Sequence, residues 1–278
     1  MNLSSLTIDR IVRGVMLNKS TKSAMWAINQ ITDPSLQGTA ENQEVLDYLN
    51  TPIASLDRAK KLTLSANNAL FDLGLLAAQF GTERNYSTAS NTFVAPSFEE
   101  FTITYSASGE GSVTLQHTPV GTGAAGIPFI YSLDGSGNID KKYEYAASAG
   151  AGKFSFTGKT LNYPTDLVSA SNPKASILVI YDYTANGDDE ALEIVNSSDK
   201  FPSAGCFVME VLFRDPCDQS TCYYGYVELP NAKLDANFSI NLTADGKHPF
   251  TLNAMQEYCS KDRKLCRFII PDAVASAA

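Results

Sequence analysis

Asp57–Gly81, DRAKKLTLSANNALFDLGLLAAQFG, decides how this chain is read. Leu62 and Leu64 alternate with Thr63 and Ser65, which predicts a half-buried strand over Lys61–Ala66. The period then changes. Leu70, Leu73, Ala77 and Phe80 fall on one helical face with Leu76 beside them, so a helix is expected over Ala69–Phe80. Asn67 or Asn68 can cap its start, and Gly81 can take the left-handed position past its end. A second block, YGYVELPNAKLDANFSINLTADGKHPF at Tyr224–Phe250, reads as two strands joined at Pro230-Asn231, followed by an Asp245-Gly246 turn.

Working outward, the chain is rich in short strand patterns. Phe101, Ile103 and Tyr105 alternate with threonines, and Val113, Leu115 and His117 repeat the pattern beyond the Gly-rich Ala107–Gly111, suggesting a hairpin. Phe129–Leu133 and Lys142–Tyr145 flank Asp-Gly-Ser-Gly-Asn, a second hairpin signal. Ser176–Tyr183 is a continuous apolar run, expected to be a strand buried on both faces. Phe207, Met209, Val211 and Phe213 mark another strand, as do Phe238, Ile240 and Leu242. Residues 1–30 suit either a strand or a loose N-terminal arm. Ile31–Gly38 reads as a turn region, Glu41–Tyr48 as a short helical or irregular segment, and residues 82–97 as a polar loop. The sum predicts a mainly β fold, a sandwich or barrel with one flanking α-helix, in a single domain over residues 1–278 with an elaboration within 146–203.

Composition narrows the function. Charged residues make up 18% of the 278, below the usual ~25%, with Ser, Thr, Asn and Ala in their place. Such a surface suits permanent neighbours. A net charge of −9 and the lack of any basic run exclude phosphate-led DNA binding. The N-terminus has no continuous apolar core, and no stretch of eighteen apolar residues occurs, so neither a secretory signal nor a membrane span is expected. Five cysteines, an odd count without such a signal, favour reduced thiols in a cytosolic setting.

No catalytic constellation emerges. His117 and His248 are far apart and no Gly-x-Ser-x-Gly elbow is present, so an enzyme is not expected. The weak metal candidates are Cys217, Cys222, Cys259 and Cys266. Four thiolates suit tetrahedral zinc, but the Cys259–Cys266 spacing is wide for a knuckle; buried free thiols and a disulfide compete with it, and simple packing is the favoured reading. Asp188, Asp189 and Glu190 lack the alternating oxygen ligands of a calcium loop and read as a solvated turn. No cofactor is expected.

The Asp57–Gly81 block and its companion at Tyr224–Phe250, in this order, resemble the tail tube (major tail) proteins of long-tailed bacteriophages. The likeness spans Thr51–Gly81 and Val211–Asn253 well. It implies a subunit of hexameric rings that complete their β edges by pairing with identical copies and stack into a hollow tube. It also implies that a long loop and terminal arms bridge the rings, with residues 1–30 and 82–97 as candidates here. The implied partners are further copies of the chain, tape measure, tail terminator and baseplate or tip proteins, a sheath in contractile tails, and viral DNA in transit without specific binding. No membrane partner is implied. The implied location is the virion tail, assembled in the host bacterial cytoplasm. A second reading is a receptor- or carbohydrate-binding β module of a tail tip or adhesin, with Tyr223, Tyr224 and Tyr226 as stacking candidates.

Overall fold

The computed structural model describes residues 6–106, 111–187, 190–216, 222–244, 246–257 and 263–271, with the backbone of 274–275. In chain order the elements are β1 (Thr7–Leu17), β2 (Ala24–Ile28), β3 (Ile31–Leu46), β4 (Pro52–Asn68), helix α1 (Leu73–Phe80), β5 (Asn85–Tyr86), β6 (Phe93–Thr104), β7 (Ser112–Thr114), β8 (Phe129–Leu133), β9 (Ile139–Tyr145), β10 (Lys153–Thr157), β11 (Thr160–Asn162), β12 (Lys174–Ala185), β13 (Leu192–Glu193), β14 (Ala204–Arg214), β15 (Cys222–Leu234), β16 (His248–Ala254), β17 (Arg267–Ile269) and β18 (Val274–Ala275). The protein is mainly β, with a nearly closed barrel-like sheet and one flanking α-helix, as its alternating patterns predict. It forms two compact units, Met1–Arg84 with Ile194–Ala278, and Asn85–Glu193. The stretch 146–203 is not a unit of its own: β12 pairs with β6 inside the second unit, and residues 194–203 belong to the first.

The first unit is a nine-stranded sheet in the order β2-β1-β14-β15-β16-β4-β3, with β17 and β18 also on β15. Strand β15 pairs along one edge with β14; along the other it meets β18, β17 and β16 in turn. Inward residues alternate along each strand and close over Trp26, Leu64, Phe207, Leu229, Phe250 and Leu252. Gly14 lets β1 lie against this core: a Cβ there would stand 2.7 Å from Phe207 Cζ. Residues 7–17 and 24–28 are therefore sheet strands, not a loose arm, since β1 pairs from Thr7 to Leu17 with β14 and β2 pairs back on β1. Two further expectations are corrected. Pro230-Asn231 is not a turn: β15 runs through it, and the register shift between Gly205 and Phe207 absorbs the extra residues as a bulge. Phe238, Ile240 and Leu242 form no strand, because Asp235 turns the chain by accepting from the Asn237 N–H (2.9 Å).

Helix α1 starts later than the apolar period suggests. Asn68 still belongs to β4 and its amide donates to Leu70 O (2.8 Å); Asp72 then caps the helix, accepting from Leu75 N (2.7 Å). Gly81 ends it with φ 72°, and the Thr82 N–H closes the last turn on Ala77 O (2.9 Å). Fully buried His248 holds both ends. Its Nδ1 accepts from Asp72 N (3.3 Å), and its Nε2 donates to Gln79 Oε1 (2.8 Å). The Gln79 amide donates onward to Pro249 O (2.9 Å), and Phe71 stacks on the imidazole. Burial pushes the His248 pKa down, against a partial opposing pull from Asp72.

The second unit is a seven-stranded sheet in the order β6-β12-β8-β9-β10-β11-β7, all antiparallel except β9–β10. The expected hairpin across 107–111 does not form: β6 pairs with β12 and β7 with β11, while 107–110 lie outside the described residues. Strand β12 is buried on one face only; Ile177, Val179, Tyr181 and Tyr183 point inward and Asp182 is exposed. Inside, the Tyr181 hydroxyl donates to Glu99, which also accepts from Gln116 N (3.0 Å), joining β6 to the chain beyond β7. Burial raises the Tyr181 pKa. The unit begins and ends in one two-stranded ribbon, where β5 pairs with β13 and Asn85 donates to Glu193 (3.3 Å). Part of the expected loop at 82–97 is thus strand.

Candidate assembly surface

Strands β3 and β4 are 16 and 17 residues long, yet β16 covers β4 only from Leu62 to Asn68. Beyond that point the two strands run on alone. Thr39 pairs with Lys61, Glu41 with Arg58, Gln43 with Leu56 and Val45 with Ala54. At ~3.4 Å per residue, this arm extends about 30 Å from the last β16 pair. Its residues are exposed on both faces.

The arm's shape follows from its local chemistry. Asp33, ahead of Pro34, has φ 52°, and the register shifts there. Proline is tolerated because β3 is an edge strand. A second shift lies opposite Ala59 (φ 51°). Such bulges add twist, which discourages uncontrolled pairing along the edge. Asp47 shapes the tip: its Oδ1 accepts from the Leu49 and Thr51 N–H groups (both 2.8 Å), while Asn50 takes φ 60°. Asn42 bridges the strands, donating to Ser55 Oγ (2.6 Å). Around this polar frame the tip exposes Val45, Leu46, Tyr48, Leu49, Ile53 and Leu56.

The sheet face leading to the arm is polar. Thr63 Oγ1 donates to Asn253 Oδ1 (3.3 Å), Ser65 and Thr251 share a hydrogen bond (3.2 Å), and Asn67 donates to Asp33 (3.4 Å). Lys247, 2.7 Å from Asp33, is the main reason that carboxyl titrates below its ordinary value. Three arginines of the unit are likewise matched: Arg13 with Glu210 (2.6 Å), Arg214 with Asp9 (2.7 Å) and Arg267 with Glu228 (2.9 Å).

The other sequence-selected residues are scattered. Cys222 opens β15 and Cys266 is half-buried against the first unit's core; Cys217 and Cys259 lie outside the described residues. Buried Cys206 donates to Glu228 (3.6 Å), and burial raises its pKa and that of Cys266. No group of three His, Cys, Asp or Glu suited to a metal occurs among the described residues. The tyrosines divide between two faces: Tyr223 points into the core, while Tyr224 and Tyr226 lie on the opposite face of β15, exposed and half-buried. In the second unit, His117 Nδ1 lies 3.0 Å from Glu190 Oε1 and its ring stacks on Tyr183. Glu190 also accepts from the Asn186 and Gly187 N–H groups, which lowers its pKa. These residues border a cavity of about 310 Å³ with Lys159, Thr118 and Thr184. Asp188 and Asp189 lie outside the described residues.

The arm itself was missed in the sequence. Residues 35–46, SLQGTAENQEVL, lack apolar alternation because neither face of the ribbon is buried. The available signal was Asp47–Thr51, whose Asp and Asn suit a turn between two segments of equal length.

A sequence profile of the YomU/Tube protein family matches residues 7–263, nearly the whole chain. No curated protein matches it.

Proposed function

We propose, on the premise that this chain belongs to the YomU/Tube protein family, that it is the repeating subunit of a phage tail tube. Membership in this family points to a phage tube structural protein and a place in the virion tail. The finer reading is that copies close into hexameric rings, the rings stack, and viral DNA passes through the bore. The one observation that carries it is the β3–β4 arm. A ribbon with both faces exposed and an apolar tip has no use within its own unit and is an aggregation hazard when left unpartnered. Identical neighbours in a closed ring, with further rings above and below, remove the hazard.

Electrostatics support passage of DNA. Arg13, Arg214, Lys247 and Arg267 each lie within hydrogen-bond range of a carboxylate, which occupies these four bases, and the chain as a whole carries a net charge of −9. This role needs no catalytic group. Its partners are further copies, the proteins that set tail length and close its ends, and a sheath in contractile tails, met during assembly in the host bacterial cytoplasm. Among the described residues, no helix is long and apolar enough to cross a membrane.

Electron microscopy of the purified full chain tests the proposal. Rings or tubes of uniform bore are expected on concentration; a monodisperse monomer at every concentration and salt tried refutes it. The cavity beside His117 favours the second reading, a carbohydrate- or receptor-binding module. Glycan binding by dispersed monomers would select it.

A further inference from the structure

Helix α1, LGLLAAQF, is apolar all round, a composition expected of a helix covered on every side. Leu75, Ala77 and Gln79 are buried. Leu73, Leu76 and Phe80, which flank buried Ala77 on one face, are exposed (Leu73) or half-buried (Leu76, Phe80). Neighbouring residues widen this stripe. Leu70 and Phe71 precede the helix and are exposed, Phe238 packs on Phe80 with ring centroids 5.7 Å apart, and the Phe201 backbone lies against Gly81. Phe201 and Leu70 are each 62% exposed. The result is an apolar surface built on a helix and only partly covered by its own unit.

The same unit carries the arm tip, where Tyr48 is 92%, Leu49 67% and Ile53 66% exposed. The tip stands at the end of a two-stranded ribbon that runs on about 30 Å beyond its last pair with β16. We infer that the arm tip of one copy docks on the α1 face of another. This rests on the assembly reading above and names the surface that receives the arm. At ~200 Å² per large apolar side chain, the six tip residues leave roughly 700 Å² uncovered, and Leu70, Phe71, Leu73, Phe201 and Phe238 roughly 500 Å². Covered in full, they bury about 1,200 Å², the lower end of specific contacts, and a ring repeats it in every subunit. The contact is heterologous: one patch meets a different patch on an identical chain. Such contacts do not stop at a dimer; they propagate into rings or stacks. Tyr48 has the character of an anchor residue, with a large rigid area and a hydroxyl that stays at the rim.

Cross-linking tests the inference in the full chain. Tyr48→Cys is made in isotope-labelled protein and Leu73→Cys in unlabelled protein. The two are mixed under assembly conditions, bridged with a short thiol cross-linker and digested for mass spectrometry. Phe201→Cys serves as a second receiver variant should Leu73→Cys fold poorly, and Trp26 fluorescence reports folding of the unit. The expected result is a labelled–unlabelled peptide pair joining position 48 to position 73 or 201. A second arm of the test is Tyr48→Asp, which is expected to raise the concentration needed for assembly at least ~tenfold while leaving the Trp26 signal unchanged. If tubes form but position 48 links elsewhere, the docking surface is wrong and the tube reading stands. If no assembly forms from folded protein, both fall. A link found only between labelled peptides joins position 48 to itself or to a native cysteine, and also overturns the inference.

Discussion

His248 joins the helix to the sheet through three neighbours, and its replacement by leucine measures that joint. The change leaves the Gln79 carbonyl without its donor and the Asp72 N–H without its acceptor, both in a buried setting. One lost hydrogen bond is worth about 1 kcal/mol and a stranded buried polar group about 1–3 kcal/mol, so a loss of about 2–4 kcal/mol is expected. The single tryptophan, Trp26, packs between Phe207 and Phe250 in the same unit, so its fluorescence during urea unfolding reads this unit alone. At a slope of ~2 kcal/mol per molar, the midpoint should fall by about 1–2 M. The pH dependence has a fixed sign. The folded pKa of His248 is depressed below the ordinary 6.5, so below that pH the unfolded chain takes up a proton that the folded chain refuses. Stability should therefore drop as pH falls from 6.5 to the folded value, by up to about 1.4 kcal/mol per pH unit. His248→Leu should lose this contribution to the slope. Adding Gln79→Leu removes the stranded carbonyl and should recover part of the stability. A single variant within ~0.5 kcal/mol of the natural protein, or a double variant worse than the sum of the two, refutes the joint.

Gly81→Ala forces a side chain into a left-handed backbone position and places its Cβ 2.4 Å from the Phe201 carbonyl; a loss of about 2–4 kcal/mol is expected in the same fluorescence assay. Replacing residues 40–60 with Asn-Gly joins the paired Thr39 and Lys61 through a two-residue hairpin turn. The Trp26 midpoint should stay within ~0.5 kcal/mol of the natural value, and sedimentation should show loss of assembly. Tyr181→Phe removes the phenol that donates to Glu99 and accepts from His117 N. The second unit should lose about 1–3 kcal/mol, seen as a lower melting temperature in near-ultraviolet dichroism, with Trp26 unmoved.

Where the sequence was legible, one face of an element is buried. Phe207, Met209 and Val211 alternate because β14 covers a core, and β8 and β9 flank a turn whose Asp134 accepts from the Ser136 and Asn138 N–H groups. Gly81 was readable because a left-handed helix end favours glycine. Illegible stretches had lost that asymmetry. The arm buries neither face, so its strands look like loops. Strand β1 carries two register shifts, which break the alternation of Ile8, Ile11 and Val12. Pro230-Asn231 imitates a turn while serving as a bulge. Partner choice was hidden for another reason: β6 and β12 lie some seventy residues apart, and local patterns say nothing of distant pairing.

The paired ribbon of β5 and β13 brings Asn85 beside Glu193. Everything between them enters and leaves the chain through one narrow neck, so its size does not alter the span the first unit must bridge. A lineage can thus lengthen, exchange or discard that segment by recombination at two neighbouring points, while the strands that build the sheet and arm keep their register. A change of sequence or length between Asn85 and Glu193 leaves the pairings of the first unit's sheet and arm as they are.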